Sequence, residues 1–321
     1  MTPQGKARTE KGDSPSAKNA EVQSPFSVLA WCGWRLRMPR DWRPLRLEGE
    51  ARSGSAMIGD AVEARLKVSW VRVAKARAKR CWSRRLRRRA ERVEQPPPRG
   101  FTDCVLLRPA KGRQLIWVGC AEGSGLVVEL IYRRPEGPGR QDQVDRVVLP
   151  SLQAAPPGGD GTLWSIFGAS FVAPRGFALV GRSLHLGEIS LRFARGREVL
   201  SLGQVYPADL ALSRRPLGFW LRSWPWEQKA LRRFRQLGED RPWRVERGGC
   251  ELVGLLRAGR KAVRWPLGFL APRRVLSAAA VDVAAGRILR GELQSPGEPA
   301  ESVLARAVGD MNRADEEAGP C

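Results

Sequence analysis

The sequence predicts an α+β fold made of two tandem sandwich domains, each an antiparallel sheet flanked by helices. The first observation is an internal repeat, because residues 34–42 read WRLRMPRDW and residues 169–177 read ASFVAPRGF. Both are a short apolar run, followed by Pro-Arg, one spacer and an aromatic residue. The second observation is that each copy continues through Gly-rich, strand-like segments to an apolar run, a polar loop and a short helix. The matching order of elements predicts a duplicated domain.

The length of the chain fits this duplication, since 321 residues can supply two domains that each bury a core. The first 24 residues contain almost no apolar side chains, and a PPGGDG stretch near the middle is a strong linker signal. The segments that we predict are a disordered 1–24, a first α+β domain at 25–155, a linker at 156–162, a second α+β domain at 163–309 and an acidic tail at 310–321.

The first domain opens with a strand in which Trp34, Leu36 and Met38 alternate with arginines. Pro39 ends this strand, because proline cannot donate to the hydrogen-bond ladder. The strands that we predict after it are 45–47, 56–58, 65–73, 104–108, 114–120 and 126–132, before a short helix at 143–152. The last of these strands is almost wholly apolar, which predicts a central place in its sheet.

A basic helix is predicted at 75–94, where apolar residues recur every four positions from Ala78 to Ala90. The rest of its surface is nearly all Lys and Arg. A run of prolines from Pro96 follows, and successive prolines prevent the helix from continuing.

The second domain repeats the series after the linker. Its predicted strands are 184–186, 189–193 and 199–205, a hairpin at 250–256 and 261–265, and an apolar strand at 278–283. Residues 217–237 are helical in composition and occupy the position of the basic helix, and residues 301–308 correspond to the closing helix.

The charge of the chain suggests an anionic partner, but its origin is ambiguous. The formal net charge is +23, which is typical of proteins that bind nucleic acid or anionic surfaces. Only nine of the 56 basic residues are lysine, however, and Arg, Gly, Ala and Pro are abundant. This bias is also what a GC-rich genome produces, so a solvated Arg-rich surface is an equally good interpretation. The six cysteines form no C-x-x-C pair and predict free thiols.

Motifs for catalysis are missing from the sequence. The single histidine, His185, lies between two leucines on a predicted strand and is interpreted as an outward-facing residue. No phosphate-binding glycine loop and no zinc-ligand spacing occur. Glu129, Asp282 and Glu292 could be acids in a pocket, but isolated carboxylates on strands usually face solvent or pair with arginine. The sequence therefore predicts a non-enzymatic protein with no catalytic residue, no metal site and no cofactor.

Two surfaces remain as candidate binding sites. On the basic helix, guanidinium forks could hold phosphate oxygens in a salt-sensitive way, and the candidate residues are Arg84, Arg85, Arg87 and Arg88. The second candidate is the pair Arg222 and Trp226, beside Trp220 and Trp224, because Trp and Arg are frequent at interface hot spots. Trp220 and Trp224 are four residues apart on one predicted helix face, so a core position is the favoured alternative for that tryptophan cluster.

Four features carry a resemblance to a known family. An opening strand runs into Pro-x-x-aromatic at 39–42 and again at 174–177, and a Gly-turn strand series and a helix follow. A closing run such as VVELIY at 127–132 then precedes a last helix. In this order of elements the chain resembles the PsbP-like family of α/β/α sandwiches, over about residues 30–155 and 163–312. The resemblance implies a binding or assembly module rather than an enzyme, and no functional residue is carried over. The targeting segment of the thylakoid members does not appear, which argues against a photosynthetic role.

The function that the sequence favours is a non-enzymatic binding or assembly module of two related domains with an unknown protein partner. The alternative is a basic nucleic-acid-associated protein that binds the phosphate backbone through the helix at 75–94. No apolar run approaches the length that crosses a bilayer, so we expect no transmembrane segment and a cytoplasmic location.

Overall fold

The structure of the protein is a computed structural model, and antiparallel β-sheet dominates it. It describes residues 24–74, 90–93, 96–109, 113–121, 123–133, 143–155, 160–221, 223–225, 234–247, 250–264 and 270–311. Within these ranges twenty strands form three sheets, and the helices are short.

The elements follow one another in two similar series. Those of the first half are the strands β1 (Phe26–Trp31), β2 (Trp34–Pro39), β3 (Arg43–Gly49), β4 (Ser53–Gly59), β5 (Ala64–Arg72), β6 (Ala90–Val93), β7 (Phe101–Pro109), β8 (Gln114–Ala121) and β9 (Leu126–Arg133), a π-helical turn (Val144–Val148), the helix α1 (Leu149–Ser151) and β10 (Gln153–Ala154). Those of the second half are β11 (Gly161–Ile166), β12 (Ala169–Pro174), β13 (Ala178–His185), β14 (Glu188–Arg195), β15 (Glu198–Val205), α2 (Ala208–Arg214), α3 (Leu217–Trp220), β16 (Phe234–Gln236), β17 (Arg241–Arg247), β18 (Cys250–Arg264), β19 (Leu270–Asp282), β20 (Arg287–Ser295) and α4 (Glu301–Gly309).

Each half of the chain forms one large sheet, and both halves contribute strands to a smaller central sheet. A central sheet has the strand order β10-β2-β1-β11-β12, and Ala30 of β1 pairs with Ser165 of β11. The amino-terminal sheet has the order β3-β4-β5-β9-β8-β7-β6. The carboxy-terminal sheet has the order β13-β14-β15-β20-β19-β18-β16, and β17 also pairs with β18. In both of these sheets three consecutive strands form a meander, and the last strand of the sheet in chain order pairs with the third strand of that meander, β9 with β5 and β20 with β15.

The two halves therefore have corresponding strand orders, and backbone pairing in the central sheet joins them. The domain boundaries at 25–155 and 163–309 stay predictions.

The predicted α+β class is wrong, and so is the resemblance to the PsbP-like α/β/α sandwiches. An α/β/α sandwich needs layers of helix on both faces of its sheet. In the described residues the inner faces of the two large sheets pack against the central sheet, and the α-helices have at most nine residues. Many strands of the two large sheets were recognised from their sequence, but the layers that cover them were not. The predicted hairpin at 250–256 and 261–265 is also wrong, because Cys250–Arg264 form the single strand β18. The strands that the sequence did not predict include β1, β6, β11, β16, β17 and β20.

Two of the predicted helices contain residues that form strands in the structure. Most of the predicted basic helix at 75–94 lies outside the described residues, but Ala90–Val93 form β6 and pair with residues 106–109 of β7. Of the described part of 217–237, α3 is helical and Phe234–Gln236 pair with β18. Pairing with a sheet edge overrides weak helical periodicity, because propensity is only a small term beside tertiary contacts.

Aromatic side chains hold the central sheet against both large sheets. Trp34 of the central sheet lies 5.9 Å, between ring centroids, from Trp70 of the amino-terminal sheet. Trp164 lies 5.6 Å from Phe193 of the carboxy-terminal sheet and meets Trp31 edge to face at 4.9 Å. Such arrangements stabilise a core beyond the area that they bury. These rings belong to one hydrophobic cluster that includes residues of all three sheets.

An arginine joins the edges of the two large sheets. Arg182 on the edge strand β13 donates to the carbonyl oxygens of Gly49 at 2.8 Å and Leu47 at 2.9 Å, both on the edge strand β3. Its guanidinium also lies 5.9 Å from the ring centroid of Trp31. Unpaired edge carbonyls invite pairing with other chains, so this contact protects β3 as well as fixing the halves together.

The two hairpins of the central sheet end in the same kind of turn. Cys32 and Gly33 have φ values of 51° and 85°, and Phe167 and Gly168 have φ values of 53° and 71°. Positive φ at both central residues gives the type I′ turn, whose twist matches that of the flanking strands. This conformation costs most residues about 1–2 kcal/mol because Cβ approaches a carbonyl oxygen, and Gly, which has no Cβ, and Asn, whose side chain can form a local hydrogen bond, usually occupy it.

Cys32 is expected to resist alkylation while the protein is folded. Burial raises the pKa of its thiol to about 12, although the charges of Arg72 and Arg182 partly oppose this shift. Because the thiolate is the reactive form, Cys32 should stay unlabelled by iodoacetamide at pH 8 and become labelled in denaturant. Peptide mass spectrometry measures both states, and rapid labelling of native Cys32 would contradict the burial described here.

Candidate functional site at the turn end of the carboxy-terminal sheet

The candidate residues predicted from the sequence cannot be placed in the fold. Those that lie outside the described residues are Arg84, Arg85, Arg87, Arg88, Arg222 and Trp226. They stay predictions, as does the nucleic-acid site that four of them would form. Their neighbour Trp224 is buried, as the core interpretation of the tryptophan cluster expects, and His185 is exposed at the end of β13.

The three isolated carboxylates do not face solvent. Glu129, Asp282 and Glu292 are all buried. Glu129 on β9 is the cross-strand neighbour of Ser69 on β5. Glu292 on β20 is likewise the cross-strand neighbour of Ser201 on β15, so each large sheet carries a Ser–Glu pair on equivalent strands. Alternation along the strands puts both pairs on the face turned away from the central sheet.

This outer face differs between the two large sheets. In the amino-terminal sheet the row continues from Glu129 to Val118 and Val105, which belong to a separate apolar cluster. In the carboxy-terminal sheet the corresponding row continues from Glu292 to Ser277 and Arg257, and both are buried. Only the second half therefore has a buried polar network among the described residues of these rows.

Arg290 lies two positions before Glu292 on the same face of β20, is fully buried, and is the centre of a second network of polar contacts. It forms an ion pair with Glu188, and it donates to the carbonyl oxygen of Ser223 at 2.8 Å and to Ser190 Oγ at 3.1 Å. Its guanidinium lies 4.4 Å from the ring centroid of Trp224. Burial lowers the pKa of Arg290, and the charge and hydrogen bond of Glu188 partly oppose this effect.

Glu188 connects this network to an exposed apolar surface. It follows Leu186 and Gly187 in the turn between β13 and β14, and the Leu186 side chain is fully exposed. Tyr206, Leu210 and Val283 lie on the connections at the same end of the sheet, and Phe167 lies on the β11–β12 turn of the central sheet, which Arg287 links to β20. We call this set the turn surface: Phe167, Leu186, Tyr206, Leu210 and Val283.

Backbone hydrogen bonds hold the connections of the turn surface together. The N–H of Tyr206 donates to the carbonyl oxygen of Gly187 at 2.8 Å, which ties the end of β15 to the β13–β14 turn. The N–H of Ala208 donates to the carbonyl oxygen of Gly286 at 2.8 Å, which ties the start of α2 to the β19–β20 turn. The connections that carry Leu186, Tyr206, Leu210 and Val283 are therefore fixed to one another.

Polar side chains fix the remaining turns. Arg287 donates to the carbonyl oxygen of Gly168, next to Phe167, and to Gln204 Oε1 at 3.0 Å. Gln204 in turn donates to the carbonyl oxygen of Ser170 at 3.0 Å. Asp282 accepts the backbone N–H of Ala285 at 3.1 Å and so shapes the turn that exposes Val283. The turn surface is therefore preorganised by the folded chain.

The sequence contained a signal for this surface. Turn positions usually hold Gly, Pro, Asn, Asp or Ser, so a large apolar residue in a turn is unusual. Phe167 precedes Gly168 and Leu186 precedes Gly187, each between two strands. That pattern marks exposed apolar side chains, but only the fold shows that the two turns lie at the same end of the molecule.

Neither a metal-binding cluster nor a membrane-spanning helix is found among the described residues. Within the described ranges, no three His, Cys, Asp or Glu side chains are close enough to hold a metal ion. In the same ranges every helix is too short or too polar to span a membrane.

Comparison with known proteins assigns no family. No protein-family model matches the chain, and no curated protein matches it. Among solved structures, the apo structure of the immunity protein TplEi of T6SS from Pseudomonas aeruginosa is similar with a TM-score of 0.28 and 12% sequence identity, over 90% of this chain and 97% of that chain. At this TM-score the similarity supports no conclusion about fold or function.

Proposed function

We propose that this protein is a non-enzymatic binding module that binds a protein partner through the turn surface. The observation that carries the proposal is the collection of large exposed apolar side chains on turns that are tied to one another. Contact between apolar side chains and water is unfavourable, so a cluster of them at one end of a folded chain marks a surface that another protein can cover.

The composition and rigidity of the turn surface both support protein binding. Phe167 and Tyr206 are aromatic, and Arg287 lies with its guanidinium 6.0 Å from the Tyr206 ring centroid. Aromatic residues and arginine are enriched at the centres of protein interfaces. Because hydrogen bonds already fix these turns, binding orders little additional chain, and less free energy is lost on association.

The buried charges of the carboxy-terminal half support a structural role for them. Arg290 pairs with Glu188, and Arg257 pairs with Asp240. Each arginine is paired with one carboxylate, and removing one partner of such a pair destabilises a fold because the other charge is left buried and unpaired. The turn surface, rather than this network, is therefore the proposed site.

Replacing Leu186 with aspartate is expected to weaken partner binding at least about tenfold without unfolding the protein. The side chain is fully exposed, so a carboxylate there stays hydrated in the free protein and is desolvated only in the complex. A photo-crosslinking amino acid at position 186, in cells that naturally make the protein, identifies the partner. The dissociation constant of the purified partner is then measured for the wild type and for Leu186→Asp.

Val62→Asp is the matched control. Val62 is also largely exposed, at 88%, but it lies in the turn between β4 and β5 of the other large sheet. We expect this variant to bind like the wild type, and a crosslinker at position 62 should not capture the same partner. Equal binding by Leu186→Asp and the wild type, or no specific crosslink from position 186, would refute the proposed function.

A further inference from the structure

Phe167 combines a strained backbone conformation with a half-exposed side chain. Its φ of 53° lies in the left-handed region, which disfavours bulky residues, and its side chain is 49% exposed. Asparagine or glycine would form the same type I′ turn with less strain. Strained residues of this kind tend to occur at functional sites, where the strain is part of the mechanism.

At the equivalent turn of the first half, the residue with positive φ is buried in the core. Cys32 has nearly the same φ of 51°, but its side chain is buried in the common core cluster. Its Sγ lies 3.8 Å from the carbonyl oxygen of Glu50. Packing therefore compensates for the strain at Cys32, whereas half of the Phe167 ring faces solvent. Contact with another molecule would bury the exposed part of the ring.

The charges near the turn surface indicate the kind of molecule. Arg214 is exposed on α2, four residues after Leu210 and on the same helix face, and Arg287 lies beside Tyr206. Asp209 is the exposed carboxylate on that helix. The whole chain has a net charge of +23, so a second copy would meet long-range repulsion, whereas an acidic protein would be attracted.

We infer that the turn surface binds an acidic protein whose apolar pocket receives the Phe167 ring and whose carboxylates face Arg214 and Arg287. This inference rests on the proposed function and adds the chemistry of the partner. Phe167 supplies the apolar anchor, and the arginines supply orientation and a faster encounter.

Phe167→Asn tests the anchor. Asparagine tolerates positive φ, so the denaturation midpoint of the variant should equal or exceed that of the wild type. Its affinity for the partner captured from position 186 should fall at least about tenfold, because the ring is lost from the interface. Loss of affinity together with preserved stability is not expected of a residue that only supports the fold.

Arg214→Glu tests the charge. We expect a slower association rate at low salt and a weaker dependence of that rate on salt, both measured by stopped-flow mixing with the same partner. Arg46→Glu is the matched control, because Arg46 is an exposed arginine, at 73% of its side chain, on β3 of the other large sheet. This control should retain the wild-type salt dependence apart from the small change in net charge.

The outcomes separate the inference from the proposed function. If Leu186→Asp loses binding but Phe167→Asn and Arg214→Glu do not, the inference is wrong and the proposed function stands. If Leu186→Asp binds normally, the proposed function fails and the inference fails with it. Sedimentation equilibrium that shows a dimer broken by Leu186→Asp would assign the surface to a second copy and would also overturn the inference.

Discussion

Replacing Arg290 with methionine is expected to lower the free energy of unfolding by about 3–5 kcal/mol. The guanidinium is fully buried, and methionine would leave the Glu188 carboxylate and the Ser223 carbonyl oxygen without their partner. The contact with Trp224 would be lost as well. Chemical denaturation followed by tryptophan fluorescence measures the loss, and the midpoint should shift without a change in the slope of the transition.

Two further variants separate the charge effect from the packing effect. Arg290→Met combined with Glu188→Gln removes both charges, so the double variant should recover part of the stability that Arg290→Met alone loses. Arg244→Met removes an ion pair with Glu251 in which both side chains are at least half exposed, and it should cost less than about 1 kcal/mol. A loss at Arg290 no larger than that at Arg244 would show that the buried pair does not stabilise the fold.

Replacing Trp164 with alanine is expected to lower the free energy of unfolding by about 3–5 kcal/mol. Trp164 is 3% exposed and contacts Trp31 of the first half and Phe193 of the carboxy-terminal sheet. Alanine would leave a cavity at the place where the two halves and two of the sheets meet. Thermal unfolding by circular dichroism should still show a single transition at a lower temperature, because both halves depend on this packing.

Trp164→Phe is the matched, milder change. The Trp164 Nε1 atom has no hydrogen-bond partner among the described residues, so phenylalanine gives up apolar area without breaking a bond. We expect its loss to be well below that of alanine. If the alanine variant unfolded in two separate transitions, the halves would be independent units, contrary to the common core.

The sequence predicted the positions of many strands, but it did not predict which sheets or helices pack against them. Pro39 and Pro174 end β2 and β12, as the loss of a backbone donor requires, and the apolar run at 126–132 is β9, between β5 and β8 in its sheet. These predictions depend on local chemistry, because a missing N–H or a two-residue alternation acts within one strand. The same reasoning could not show that the opening hairpins leave their own sheets and join each other.

The turn surface could not be predicted from the sequence either, because it depends on pairing between strands that are far apart in the chain. Leu186 and Val283 are almost a hundred positions apart, and each alone is an ordinary exposed apolar residue. The pairing of β20 with β15 places the β13–β14 turn and the β19–β20 turn at the same end of the sheet. Glu292 illustrates the same limit, since its burial depends on the strands around it rather than on its neighbours in the chain.

The pairing of β1 with β11 has a consequence for biosynthesis. While the ribosome is still making the second half, one side of the apolar strand Phe26–Trp31 has no partner. An apolar strand with a free side readily joins strands of other nascent chains, and multi-part folds often aggregate at this stage. The newly made first half therefore depends on prompt arrival of β11, or on a chaperone that shields this strand until translation is complete.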